Sequence, residues 1–240
     1  METALMISVV NGKETLAALE GGADIIDIKN PAEGALGAPA PGTIQDVCSM
    51  LDRTKPFSVA LGELPGKPGA AALAALGSGY FKPDFVKIAF LPNTSPEEMS
   101  TTLQEVRKSL SLVSDKEISL VSVAYADKLR FAQWNVDEFA SIAKEAGAKG
   151  CLVDTWEKKN KSLLHYMSIK NIEHFIDSCH KRELFCGLAG SLKFSDIVIL
   201  SGLEADIIGV RSAVCMGDRL NGTVSAQDVN HIKKALRKIS

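Results

Sequence analysis

The chain of 240 residues lacks the recognisable motifs that tie a protein to a zinc ion, a bilayer or a nucleic acid. Its five cysteines, Cys48, Cys151, Cys179, Cys186 and Cys215, are scattered, odd in number and without a C-x-x-C pair. That excludes a recognisable disulfide framework or zinc knuckle and leaves the cysteines as small core hydrophobes. The four histidines, His165, His174, His180 and His231, show no H-x-x-x-H spacing. Magnesium held by carboxylates stays open, but no metal and no cofactor is expected. No apolar run approaches the roughly 20 residues that span a bilayer, and a formal net charge of −2 gives no reason to expect nucleic acid or an anionic membrane as partner. The first residues lack a basic segment followed by an apolar run and a cleavage site, so a cytoplasmic location is expected. Whether the chain forms a homo-oligomer is open from sequence.

What is present is an ordinary globular composition, 46% hydrophobic and 23% charged, arranged in a repeating order. Strand-like runs at Leu5–Val10, Asp24–Lys29, Phe57–Leu61, Phe85–Phe90, Ile118–Ala124, Cys151–Asp154, Leu184–Leu188 and Asp206–Arg211 alternate with helical patterns. Ser95-Pro96-Glu97-Glu98 is a strong helix start, with Met99, Leu103, Val106 and Leu110 as its apolar stripe. Asn135 and Glu138 cap another helix, Thr43 is expected to cap an earlier one, and the last runs from Ala226 to Lys238. Helices are also expected at Lys13–Glu20, about Ala70–Leu76, about Asn171–His180 and Ser195–Leu203. The loop Gly62–Gly69 is one residue short of a P-loop and carries Pro68 where Ser or Thr is required, so it is not one. With no linker or shift in composition, the alternation predicts an α/β fold, a single (β/α)8 barrel over residues 1–240, ahead of an open doubly wound sheet.

The chemistry gathers first at Ala23-Asp24-Ile25-Ile26-Asp27-Ile28-Lys29-Asn30-Pro31. In a strand Asp27 and Lys29 share one face, opposite Ile26 and Ile28. An amine beside a carboxylate can transfer protons or form an imine; the plain alternative is a buried ion pair that only fixes register. In a barrel the site lies at the C-terminal strand ends. Those ends present Asp27, Lys29, Glu63, Lys87, Tyr125, Asp127, Asp154, Gly190, Ser191 and Arg211. Lys87 sits between Val86 and Ile88, which makes it a poorly solvated base or nucleophile unless it snorkels to the rim. Ala189-Gly190-Ser191 and Gly209-Val210-Arg211-Ser212 end the last two strands, where barrels of this kind bind phosphate. A faint echo relates Ala23–Lys29 to Ala205–Arg211.

These groups point to a small phosphorylated carbonyl compound as substrate and partner. The amine favours imine chemistry of the class I aldolase kind; Asp27-Ile28-Lys29 also resembles the D-x-K element of phosphate-binding barrel decarboxylases, whose further acidic residue Glu33 does not match. The chain more specifically resembles the (5-formylfuran-3-yl)methyl phosphate synthases of methanofuran biosynthesis. The resemblance is carried by Gly21–Pro31 with Glu33-Gly34 and Leu36-Gly37-Ala38. It continues through Lys67-Pro68-Gly69, Tyr125-Ala126-Asp127, Leu152-Val153-Asp154-Thr155, Leu188-Ala189-Gly190-Ser191 and Gly209-Val210-Arg211. It implies a (β/α)8 barrel, a carbon–oxygen lyase that condenses two molecules of glyceraldehyde 3-phosphate with loss of phosphate and water. It further implies Lys29 as Schiff-base lysine, Lys87 as proton-transfer lysine, and Asp27, Asp154 and Lys158 lining the site. The chain departs from the family pattern after the sixth strand, where Trp156-Glu157 precedes Lys158. A decarboxylase or isomerase acting on one phosphosugar, and a non-catalytic phosphometabolite-binding protein, are the alternatives from other classes.

Overall fold

The computed structural model describes residues 2–51, 55–113, 115–158 and 161–237. Eight parallel strands close into a barrel in chain order. They are β1 (Ala4–Val9), β2 (Ile25–Ile28), β3 (Phe57–Glu63), β4 (Phe85–Ala89), β5 (Ser119–Tyr125), β6 (Gly150–Asp154), β7 (Phe185–Leu188) and β8 (Ile207–Val210). Pairing of β1 with both β2 and β8 closes the ring, Met6 standing opposite Ile25 on one side and Gly209 on the other.

The helices are α1 (Gly12–Glu20), α2 (Pro41–Leu51), α3 (Pro68–Gly79), α4 (Pro96–Ser111), α5 (Val136–Glu145), α6 (Leu163–Tyr166), α7 (Ile169–His180), α8 (Phe194–Leu200) and α9 (Ala226–Arg237). Ser95 accepts the Glu98 N–H, and Met99, Leu103, Val106 and Leu110 are buried, as their spacing predicts. Asn135 and Glu138 form the reciprocal capping box. Thr43, by contrast, lies inside α2: proline at the helix start supplies a pre-set φ and lacks an N–H that would have no partner there, so the helix begins at Pro41. α3 likewise begins at Pro68. The expected end of the last helix at Lys238 lies outside the described residues, as do Lys159 and Asn160 of the loop after β6. Two features lacked a sequence signal: the short α6, and an antiparallel hairpin of β9 (Cys215–Met216) and β10 (Thr223–Val224) after β8.

The alternation of strand residues sorts the core into two. Outward-facing Leu5, Ile7, Ile26, Ile28, Val86, Ile88 and their neighbours pack under the helices. Inward-facing Met6, Ile25, Ala60, Val121, Val123, Leu152 and Ile207 fill the barrel itself. Each fully buried aliphatic side chain of this kind contributes about 1.5–3 kcal/mol. The apolar filling ends near the C-terminal strand ends, where charged side chains replace it. Among the described residues no helix is long and apolar enough to cross a membrane.

Candidate active site

At that mouth one pocket is lined by Asp27, Lys29, Lys87, Asp154, Lys158, Gly190, Ser191, Gly209 and Arg211, so the sequence-predicted site residues come together. Glu63, Tyr125 and Asp127 do not join them. Glu63 accepts hydrogen bonds from the Tyr125 hydroxyl and the Leu36 N–H, which ties down the loop after β2 and sets the Leu36 side chain into the pocket. Asp127 turns to the neighbouring loop and accepts the N–H groups of Trp156 and Glu157, fixing the turn that carries Lys158.

Asp27 is 1% exposed and its carboxylate contacts Lys87 Nζ at 2.6 Å, with hydrogen bonds from Ser8 Oγ at 2.9 Å and Ser58 Oγ at 3.0 Å. Burial pushes this carboxyl up, but Lys87 first and Lys29 second outweigh it and hold the group below the ordinary carboxylate range. The partner of Asp27 is therefore Lys87 across the barrel, and not Lys29 on its own strand. Ser8 and Ser58 gave no signal in sequence; their role arises because β1 and β3 flank β2 and place the hydroxyls opposite Asp27.

Asp154 is 2% exposed and pairs with Lys158 Nζ at 2.5 Å. Lys158, then Lys29, hold its carboxyl below the ordinary range against the opposing effect of burial. Lys158 thus reaches the site despite the departure from the family pattern at Trp156-Glu157; Trp156 stacks edge-on against Tyr125 instead of entering the pocket. Lys29 differs from Lys87, Lys158 and Arg211. Its side chain is buried, yet its Nζ makes no hydrogen bond or contact ion pair with any described residue. Burial lowers its pKa, Asp154 and then Asp27 raise it, and the outcome is about 8 against an ordinary 10.5.

Arg211 does not present an open guanidinium. It is clamped by the carboxylate of Glu14 on α1 (Nη1 2.8 Å, Nη2 3.3 Å) and donates further to the Ser8 carbonyl at 3.0 Å and the Arg219 carbonyl at 2.8 Å. Gly190 has φ +120°, and a Cβ there would lie 2.8 Å from Thr155 Cγ2, so glycine is required for the turn that places Ser191. The free space in the pocket is about 30 Å³, room for a water or two.

A family model described as 4-HFC-P synthase matches residues 5–233. The chain belongs to this family. Curated relatives named (5-formylfuran-3-yl)methyl phosphate synthase agree along nearly its whole length. The Methanococcus maripaludis (strain C5) protein is 35% identical over 235 residues, 98% of this chain and 99% of its own. That of Methanopyrus kandleri is 35% identical over 237 residues, 98% and 100% respectively, and that of Methanosarcina barkeri 37% identical over 219 residues, 90% and 92%. Among solved structures, KGPDC from Streptococcus mutans superposes with a TM-score of 0.70 at 12% identity, covering 100% of this chain and 99% of that one. Phosphoribosyl anthranilate isomerase from Thermus thermophilus gives 0.64 at 10% identity, covering 99% and 100%. At such identities the superpositions show a shared barrel fold alone.

Proposed function

We propose that this member of the 4-HFC-P synthase family condenses two molecules of glyceraldehyde 3-phosphate to (5-formylfuran-3-yl)methyl phosphate, a step of methanofuran biosynthesis. Two such three-carbon phosphates balance the product with release of one phosphate and two waters. The observation that carries the reading is Lys29: a buried amine without a contact counter-ion, pKa about 8, in a pocket shared with two carboxylates. About a tenth of such a lysine is neutral at pH 7, against roughly one in three thousand for an ordinary one.

The neutral Lys29 amine adds to the aldehyde carbon, and loss of the hydroxyl as water leaves an iminium. The Lys87–Asp27 pair supplies the proton that departs with the hydroxyl. The iminium withdraws electrons from the neighbouring C–H, and the same pair, once deprotonated, takes that proton. The enamine expels phosphate from its third carbon, and the methylene carbon so formed attacks the carbonyl carbon of the second molecule in its ketone form. Ring closure with loss of two waters completes the furan, and water then releases the formyl carbon from Lys29. Asp154, paired with Lys158, sets the charge around the iminium. The pocket is too small for either substrate as it stands, so its walls move apart when substrate enters.

Borohydride added during turnover with glyceraldehyde 3-phosphate should trap substrate on Lys29, and Lys29→Ala should abolish both adduct and furan. Lys87→Ala should still form the adduct but slow product roughly 100-fold or more. Capture on Lys87 would reverse the two roles. Furan formed with no captured adduct would replace the imine by an enediolate route through Asp27 or Asp154. Consumption of one phosphosugar per product would instead favour the decarboxylase or isomerase alternative.

A further inference from the structure

The charges around the pocket pair off in contacts: Lys87 with Asp27, Lys158 with Asp154, Arg211 with Glu14. Two cations remain. One is Lys29, whose isolation suits its role as nucleophile. The other is Arg219, at the tip of the β9–β10 hairpin, whose side chain lines the same pocket. Its Nη2 is buried and has no hydrogen-bond partner among the described residues, and neither does the buried Oγ of Ser191 in that pocket. The N–H groups of Gly190 and Ser191 likewise donate to no described residue. Buried side-chain donors left without acceptors, as Arg219 Nη2 and Ser191 Oγ are, are costly and rare in a folded protein. Their convergence in a cationic pocket marks a place built for an anion with several oxygens.

The hairpin is held to deliver that arginine. Asp218 accepts the N–H groups of Leu220 at 2.7 Å and Asn221 at 2.9 Å, shaping the turn, and Arg211 Nε fixes the Arg219 carbonyl at 2.8 Å. Arg211 keeps only one N–H unengaged, because Glu14, Ser8 and Arg219 occupy the others.

We infer that Arg219, with Ser191, grips the phosphate of the substrate, and that Arg219 rather than Arg211 makes the site select phosphorylated over unphosphorylated aldehydes. The inference rests on the phosphorylated-substrate reading above, but a binding measurement tests it without turnover. Inorganic phosphate titrated calorimetrically should bind the wild-type protein. Arg219→Gln should weaken that binding roughly ten- to hundredfold, with Arg219→Lys in between, because Lys keeps the charge but not the forked donors. Borohydride capture of unphosphorylated glyceraldehyde on Lys29 should be the same in wild type and Arg219→Gln, while capture of glyceraldehyde 3-phosphate at low concentration should fall in the variant. Unchanged phosphate affinity in Arg219→Gln, or no phosphate binding to the wild type, overturns the assignment. Loss of capture for both aldehydes alike also overturns it, since Arg219 would then only support the architecture. If instead the wild type makes neither adduct nor furan while Arg219→Gln loses phosphate, the condensation reading fails and the Arg219 assignment stands.

Discussion

Strands β2 and β8 begin alike and end differently. Asp24 precedes β2, accepts the Leu5 N–H of the preceding strand at 2.8 Å and pairs with Lys233 of α9 at 2.7 Å. Asp206 precedes β8, accepts the Cys186 N–H of its preceding strand at 2.7 Å and pairs with His180 of α7 at 2.8 Å. Asp84, before β4, does the same for the Phe57 N–H at 2.9 Å and pairs with Lys116 at 2.5 Å. At the far ends the likeness stops. Lys29 stands without a contact carboxylate, whereas Arg211, five residues past its own aspartate as Lys29 is past Asp24, is locked by Glu14. An aspartate just before the strand thus gives the same structural foot each time, and the chemistry of each tip is decided by what another element places beside it.

The sharpest way to break the comparison is to remove the clamp. Glu14→Gln leaves the Arg211 guanidinium buried without its counter-ion, and should destabilise the protein by about 3–5 kcal/mol in urea unfolding. Lys29→Met should act in the opposite sense. Because the folded-state pKa of Lys29 is about 8 and the unfolded one about 10.5, the buried ammonium opposes folding below pH 8. That opposition is relieved as pH rises from about 8 to 10.5, where the unfolded chain still holds its proton and the folded one does not. Lys29→Met should therefore stabilise by up to roughly 3 kcal/mol at pH 7, with the gain shrinking through that window. If both substitutions destabilise at pH 7, the two tips are equivalent and the comparison fails.

Smaller effects sharpen it. Asp24→Ala and Asp206→Ala should each cost about 1–3 kcal/mol, alike within error, because each leaves a backbone N–H at a strand start without its acceptor. The acid limb of adduct formation should lie near pH 8 in the wild type. Asp154→Asn removes the carboxylate that most strongly holds the proton on Lys29 and also frees the Lys158 charge. Both changes lower the Lys29 pKa further, so the limb should move to lower pH; a move upward would remove Asp154 from the account of Lys29.

Periodicity made the barrel legible: near-continuous apolar strands alternating with capped amphipathic helices have few other ways to bury their surfaces. It also made Asp27, Lys29, Lys87, Asp154, Gly190 and Arg211 legible as strand-end residues, because alternation fixes the face on which a strand side chain stands. Which of them would be partners was not legible. The Asp27–Lys87 contact spans 60 positions of sequence and the Glu14–Arg211 clamp 197. Both depend on barrel closure, which sets strands and helices side by side regardless of their distance along the chain. Arg219 was invisible for the same reason, since only the hairpin turn brings it over the pocket. The sequence by itself determined the alternation, the caps, the face of each strand residue and hence the set of groups at the mouth. The tertiary structure alone decided which cations are neutralised and which are left open, because burial and contact charge, the terms that set a lysine's reactivity, belong to the assembled barrel and to no single strand.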